Sequence, residues 1–171
     1  MIRLCWLAGA LAACGTSTDD RPATLQYITE AVLAPDCGSA PCHSTFTQQV
    51  GDVFDTIKGA RKSMVDNGLV VYPDDTANPM QARLVQAVTV GLPSILAPGS
   101  GNIRMPYDAP MPTEDIQLIK RWIASGALGS QCVPEEGSVC VGNKLTACDS
   151  DGNLGATIMV CTNACSEGAC L

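Results

Sequence analysis

The stretch PDCGSAPCHST, residues 35–45, gathers the side chains of this chain that are best suited to chemistry. Two cysteines stand five positions apart, Cys37 and Cys42, and the only histidine, His43, follows the second at once. Several chemistries use such a trio. Two thiols can add across the two vinyl groups of a porphyrin while the adjacent histidine is carried onto the iron; the common spacing for that is Cys-x2-Cys-His, and here it is Cys-x4-Cys-His. The same thiols can close a small disulfide loop, leaving His43 an ordinary surface residue. As a zinc site the trio lacks a fourth ligand nearby. A Cys–His nucleophile pair is disfavoured, because adjacent residues rarely present their side chains to each other and no orienting acid is evident.

The other cysteines narrow the choice. The chain opens MIRLCWLAGALAACGTSTDD, with one arginine, an apolar run from Leu4 to Ala13, then small and acidic residues. That is the pattern of a signal peptide, residues 1–13, too short to span a bilayer. Its end, Leu11-Ala12-Ala13-Cys14, resembles the lipobox of bacterial lipoproteins, which implies acyl chains on Cys14 and a membrane anchor. Residues 14–23 then read as a polar tether. Export places the rest in an oxidising compartment of the cell envelope, periplasm or cell surface, where cysteines pair or attach a cofactor. The formal charge of −7 excludes a nucleic-acid surface, and the short basic pairs Arg61-Lys62 and Lys120-Arg121 read as solvated helix faces.

Two further stretches differ in composition. Residues 24–128 read as helices joined by Pro/Gly loops. TLQYITEAVLAP puts Leu25, Ile28 and Val32 on one face and stops at Pro35; FTQQVGDVFDTIKGARKSM repeats Phe46, Val50, Phe54, Ile57 and Met64 at helical spacing. NPMQARLVQAV offers Asn78 as N-cap and Pro79 in the first turn; TEDIQLIKRWIASGA offers Thr113 as N-cap, a core face of Ile116, Ile119 and Ile123, and Gly126 as the stop. GLVVYP reads as a short extended segment. The loop before the last helix runs over twenty residues and carries RMPYDAPMP, a length that is usually functional or mobile. Residues 129–171 hold Cys132, Cys140, Cys148, Cys161, Cys165 and Cys170. So short a segment must be stapled, which predicts three disulfides with pairing left open among fifteen connectivities. Gly142-Asn143 and Asp151-Gly152 mark hairpin turns, and DSDGN reads as a turn, not a calcium loop. With Cys5 removed and Cys14 lipidated, only Cys37 and Cys42 are left over.

From Leu25 to Leu128 the chain resembles a class I c-type cytochrome domain. It is similar to the divergent domains of exported bacterial proteins, some of which carry Cys-x4-Cys-His. The parts that carry the likeness come in order: a helix running into CGSAPCHS, middle helices, an RMP loop, and a last helix ending IKRWIASGA. The resemblance implies a mainly α, cytochrome c-like fold with a small disulfide-rich module behind it. It implies one covalent haem c on Cys37 and Cys42, His43 as proximal iron ligand, and a methionine as the sixth. Met105, which opens the loop, is the implied ligand, and Met111 is the runner-up. With both axial positions filled the protein would be no enzyme but a lipid-anchored electron carrier serving redox partner proteins. The contrasting reading is a haem-free surface lipoprotein that acts through its disulfide-rich C-terminus.

Overall fold

A computed structural model describes residues 19–93, 99 and 101–171. Cys14 and the apolar run before it lie outside the described residues. Of the stretch read as a tether, Asp19 to Ala23 are held against the last helix. Arg21 pairs with Asp115 and donates to the Glu114 carbonyl at 2.8 Å, while Arg121 pairs with Asp19 at 2.9 Å.

The first helix comes in three parts. An α turn, α1 (Leu25–Ile28), passes through a π turn (Thr29–Leu33) into α2 (Ala34–Asp36). Thr24 caps it by accepting from the Tyr27 amide. Pro35, where the sequence predicts the stop, lies one residue before the helix ends at Asp36. The wider π turn ahead of it relieves the clash its ring would make with the carbonyl four residues back. A 3-10 turn (Gln49–Gly51) follows, then α3 (Ile57–Asp66), α4 (Asp74–Ala77), α5 (Arg83–Thr89) and α6 (Thr113–Ala124). Between α5 and α6 stand β1 (Leu92–Pro93) and β2 (Asn102–Ile103), paired antiparallel. No strand forms in GLVVYP; there Leu69 and Val70 are buried ahead of α4.

These pieces bury one core, with Leu25, Ile28, Leu33, Met64, Leu118, Ile119, Trp122 and Ile123 nearly inaccessible. Trp122 also donates its indole N–H to the Leu128 carbonyl at 2.9 Å, fixing the chain as it leaves α6.

The C-terminal stretch is strand and loop. β3 (Ser138–Val141), β4 (Lys144–Cys148) and β5 (Leu154–Val160) form an antiparallel sheet in that order, and β6 (Cys165–Ser166) pairs with β7 (Ala169–Cys170). The three predicted bridges form as Cys132–Cys148, Cys140–Cys165 and Cys161–Cys170. The β3–β4 turn is Gly142-Asn143, where Gly142 supplies φ +60°.

The expectation of a mainly α molecule is overturned. The chain is 37% helix and 16% strand in three small sheets, a mixed architecture. The physical reason lies in two places. The stapled segment is interrupted by Gly and Asn turns and cross-tied by three disulfides, and it uses short paired strands. The helices themselves are shorter than their periodicity promised. The long amphipathic pattern from Phe46 becomes helix only at Ile57, where Thr56 caps by accepting from the Gly59 amide. Upstream, Thr45 and Thr47 spend their hydroxyls on Asp55 and the Ala40 carbonyl, and Gly51 takes φ +83°. Likewise Pro79 opens only a 3-10 turn (Pro79–Gln81), and α5 starts after Ala82 turns extended. Thr113 is the first residue of α6, not its cap; Pro112 holds that place.

Candidate functional site

The end of α2 positions the cysteine–histidine stretch. The Cys37 and Gly38 amides still donate to the Leu33 carbonyl, closing the helix. The chain then folds into a tight loop, in which the Cys42 amide donates to the Ser39 carbonyl at 2.9 Å and the His43 amide to the Cys37 carbonyl at 3.0 Å. Between the two cysteines, Ser39, Ala40 and Pro41 are exposed. Gly38 permits the closure: a Cβ there would lie 2.9 Å from both the Ala34 carbonyl oxygen and the Asp55 nitrogen, which are backbone atoms and cannot give way.

Cys37 and Cys42 are unpaired, the first buried and the second exposed. Burial pushes the Cys37 thiol up to about 12, helped by the nearby Asp36 and Cys42. At neutral pH it is a thiol and a poor nucleophile.

His43 is 9% exposed and meets Phe54 edge-on, ring centroids 5.3 Å apart. Its Nδ1 lies 3.0 Å from the Gln49 carbonyl oxygen. A carbonyl only accepts, so Nδ1 carries the proton and donates, and Nε2 is the ring nitrogen left for a metal. The Gln49 amide returns to the Cys42 carbonyl at 3.3 Å, so a backbone hydrogen bond closes residues 42–49 into the loop that carries the imidazole. Behind it, Asp52 is buried and accepts from the Asn67 amide at 2.7 Å; desolvation pushes its carboxyl upward despite that bond.

The two methionines are placed differently. Met105, half-buried, follows β2, and its amide donates to the Ala87 carbonyl of α5 at 2.8 Å. Met111 is 4% exposed and belongs to the same apolar core as Cys37 and Phe54. Two clefts accompany the core, of about 360 and 160 Å³. Both border the C-terminal stretch, and neither is lined by Cys37, Cys42, His43, Met105 or Met111. Among the described residues, no three His, Cys, Asp or Glu side chains converge as a metal cage. The periodic reading of the sequence missed the carbonyl of Gln49, since a backbone acceptor leaves no residue-type signal.

No family of known proteins, no curated protein and no solved structure matches this chain. With the mixed helix and strand architecture, that overturns the likeness to a class I c-type cytochrome domain. The likeness rested on two short motifs, CGSAPCH and the RMP loop with its WIASGA ending, and motifs of that length recur without common fold.

Proposed function

We propose that the loop around Cys37, Cys42 and His43 attaches one haem covalently and that the protein carries single electrons. One observation supports this most. Six of the described cysteines pair into three disulfides, and the two left as thiols are Cys37 and Cys42, just before His43. A protein whose other thiols oxidise keeps these two for another bond. The donor set also fits the group: two free thiols for thioethers, and an imidazole whose Nδ1 is committed to Gln49 so that Nε2 points its lone pair elsewhere. Haem bound here supplies a one-electron iron couple whose potential follows its axial ligands. The chain's part is to hold the imidazole in one tautomer and to supply a sixth ligand, Met105 in this proposal with Met111 as runner-up. An exported, lipid-anchored carrier meeting redox partner proteins is the corresponding setting, with no catalytic role.

A second reading, a haem-free surface module, draws on β5. Ile158, Met159 and Val160 are each about half exposed or more on that strand, a small apolar surface that suits a protein contact.

Colour separates the two. The protein is produced in a periplasm with haem-attachment machinery, extracted with acid–acetone, and examined as its pyridine haemochrome. Haem retained after extraction is the expected result, and Met105→Ala, against Met111→Ala as control, is expected to lower the potential. A colourless folded protein overturns the reading.

A further inference from the structure

The chain enters the fold along its last helix. Asp19 lies against Arg121 in the last turn of α6, and Arg21 against Asp115 in the first, so the segment runs antiparallel to that helix before it turns into α1. The Arg21 guanidinium takes both oxygens of Asp19, Nε to Oδ1 at 2.9 Å and a terminal nitrogen to Oδ2 at 3.0 Å. It also pairs with Asp115 and donates to the Glu114 carbonyl at 2.8 Å. Arg121 closes the set on Asp19 Oδ2 at 2.9 Å. A lone surface ion pair contributes little, but here two guanidinium groups and two carboxylates share one network with a bidentate fork at its centre. Arg21 first, and then Arg121, hold the Asp19 carboxyl well below the usual range, so the network stays charged in mild acid.

Reach decides what this strap does to an anchored chain. Five residue steps separate Cys14 from Asp19, and whatever their conformation they span at most about 18 Å. Were the chain free as far as Thr24, the ten steps would span up to about 36 Å. A compact fold of this size has a radius of gyration of about 15 Å and a width of about 38 Å. The longer leash nearly equals that width and lets any side of the molecule meet a bilayer. The shorter one is less than half of it, so the side opposite α6 cannot reach the lipid.

We infer that the strap Asp19–Arg21 and the exposed side of α6 are the membrane-facing surface of the anchored protein, an ionic clasp that fixes which side meets the lipid headgroups. The inference rests on the lipid anchor at Cys14 in the setting proposed above and is independent of the haem. The surface carries charges of both signs, Asp19 and Glu114 beside Arg21 and Arg121. The anchor, not surface attraction, therefore brings it to the bilayer, and the arrangement holds on zwitterionic lipid.

The test uses the full lipidated chain, isolated from bacterial membranes with its Cys14 acylation checked by mass. It is placed in phosphatidylcholine nanodiscs doped with a gadolinium-headgroup lipid, and paramagnetic loss of amide signal is read residue by residue. The loss is expected at residues 19–23 and along α6, and to be absent from the opposite side of the molecule. Arg21→Ser combined with Arg121→Ser is expected to release the strap and spread the loss over all faces. Salt at about 1 M, where the screening length falls to about 3 Å, is expected to do the same to the wild type and guards against misfolding of the variant. Loss spread evenly over the wild type, or a pattern unchanged by release, overturns the inference and leaves the anchor standing. A chain whose Cys14 carries no lipid overturns both.

Discussion

Cys37 and Cys42 differ more in surroundings than in sequence. Both follow small or turn-forming residues, yet one faces the core and the other faces water. For the haem-free protein this predicts a large asymmetry in alkylation. A thiol held at about 12 against an ordinary value of 9.0 is about a thousandfold poorer in thiolate at pH 8. Iodoacetamide is expected to label Cys42 promptly and to leave Cys37 intact until the protein is denatured, as read by peptide mass analysis. Equal labelling of both in the folded protein would show that the end of α2 opens readily. The linkage follows the same sign. An acid raised on folding makes the native state lose stability as pH climbs from about 9 toward 12, so the fold weakens in alkali through this residue.

The helices were legible where side chains alone decide, and illegible where hydrogen bonds compete. α6 reads in large part from its pattern: acids Glu114 and Asp115 in the first turn, Ile119 and Ile123 buried, Gly126 at φ +109° just past its end, while Leu118 and Trp122 complete the buried face and Ile116 is only partly covered. The segment before Ile57 has an equally good helical spacing. It fails as helix because Ser44, Thr45 and Thr47 offer their hydroxyls to backbone and to Asp55, bonds that no periodicity count contains. Phe46 was accordingly read as core and stands in solvent. The cysteine–histidine trio is legible from spacing alone, whereas nothing in that spacing singles out Gly38. Its true constraint is a close approach of α2 to the backbone of Asp55. Gly38→Ala is expected to force that contact apart at a cost of about 1–3 kcal/mol, measured by denaturant midpoint. A neutral Gly38→Ala would mean that the two backbones have slack.

At the scale of the molecule, two parts of different construction are joined by side chains that reach for backbone. Arg61 of α3 donates to the Gly129 carbonyl through Nε and to the Asp151 carbonyl through a terminal nitrogen, both at 2.7 Å. Gly152 must lack a side chain there, since a Cβ would lie 2.4 Å from the Arg61 Nε. Gln131 bridges from the other direction, donating to the Gly126 carbonyl and accepting from the Leu154 amide. These bonds dock the stapled part without giving it a core: the main apolar cluster contains no residue beyond Ala127, and the buried apolar residues after it are Cys132, Val133 and Cys161. Cross-linking must then hold the strands. Bridges spanning 16, 25 and 9 residues each contribute on the order of 3 kcal/mol by restricting the unfolded chain, together more than so small a set of contacts supplies. Reduction of the native protein is therefore expected to strip amide-exchange protection from residues 132–170 while the buried positions of α6, such as Ile119 and Trp122, stay protected and helical circular dichroism persists. Loss of both together would mean that the docking through Arg61 and Gln131 carries stability back into the helices, and Arg61→Ala with the disulfides intact would then destabilise α3 and α6 as well.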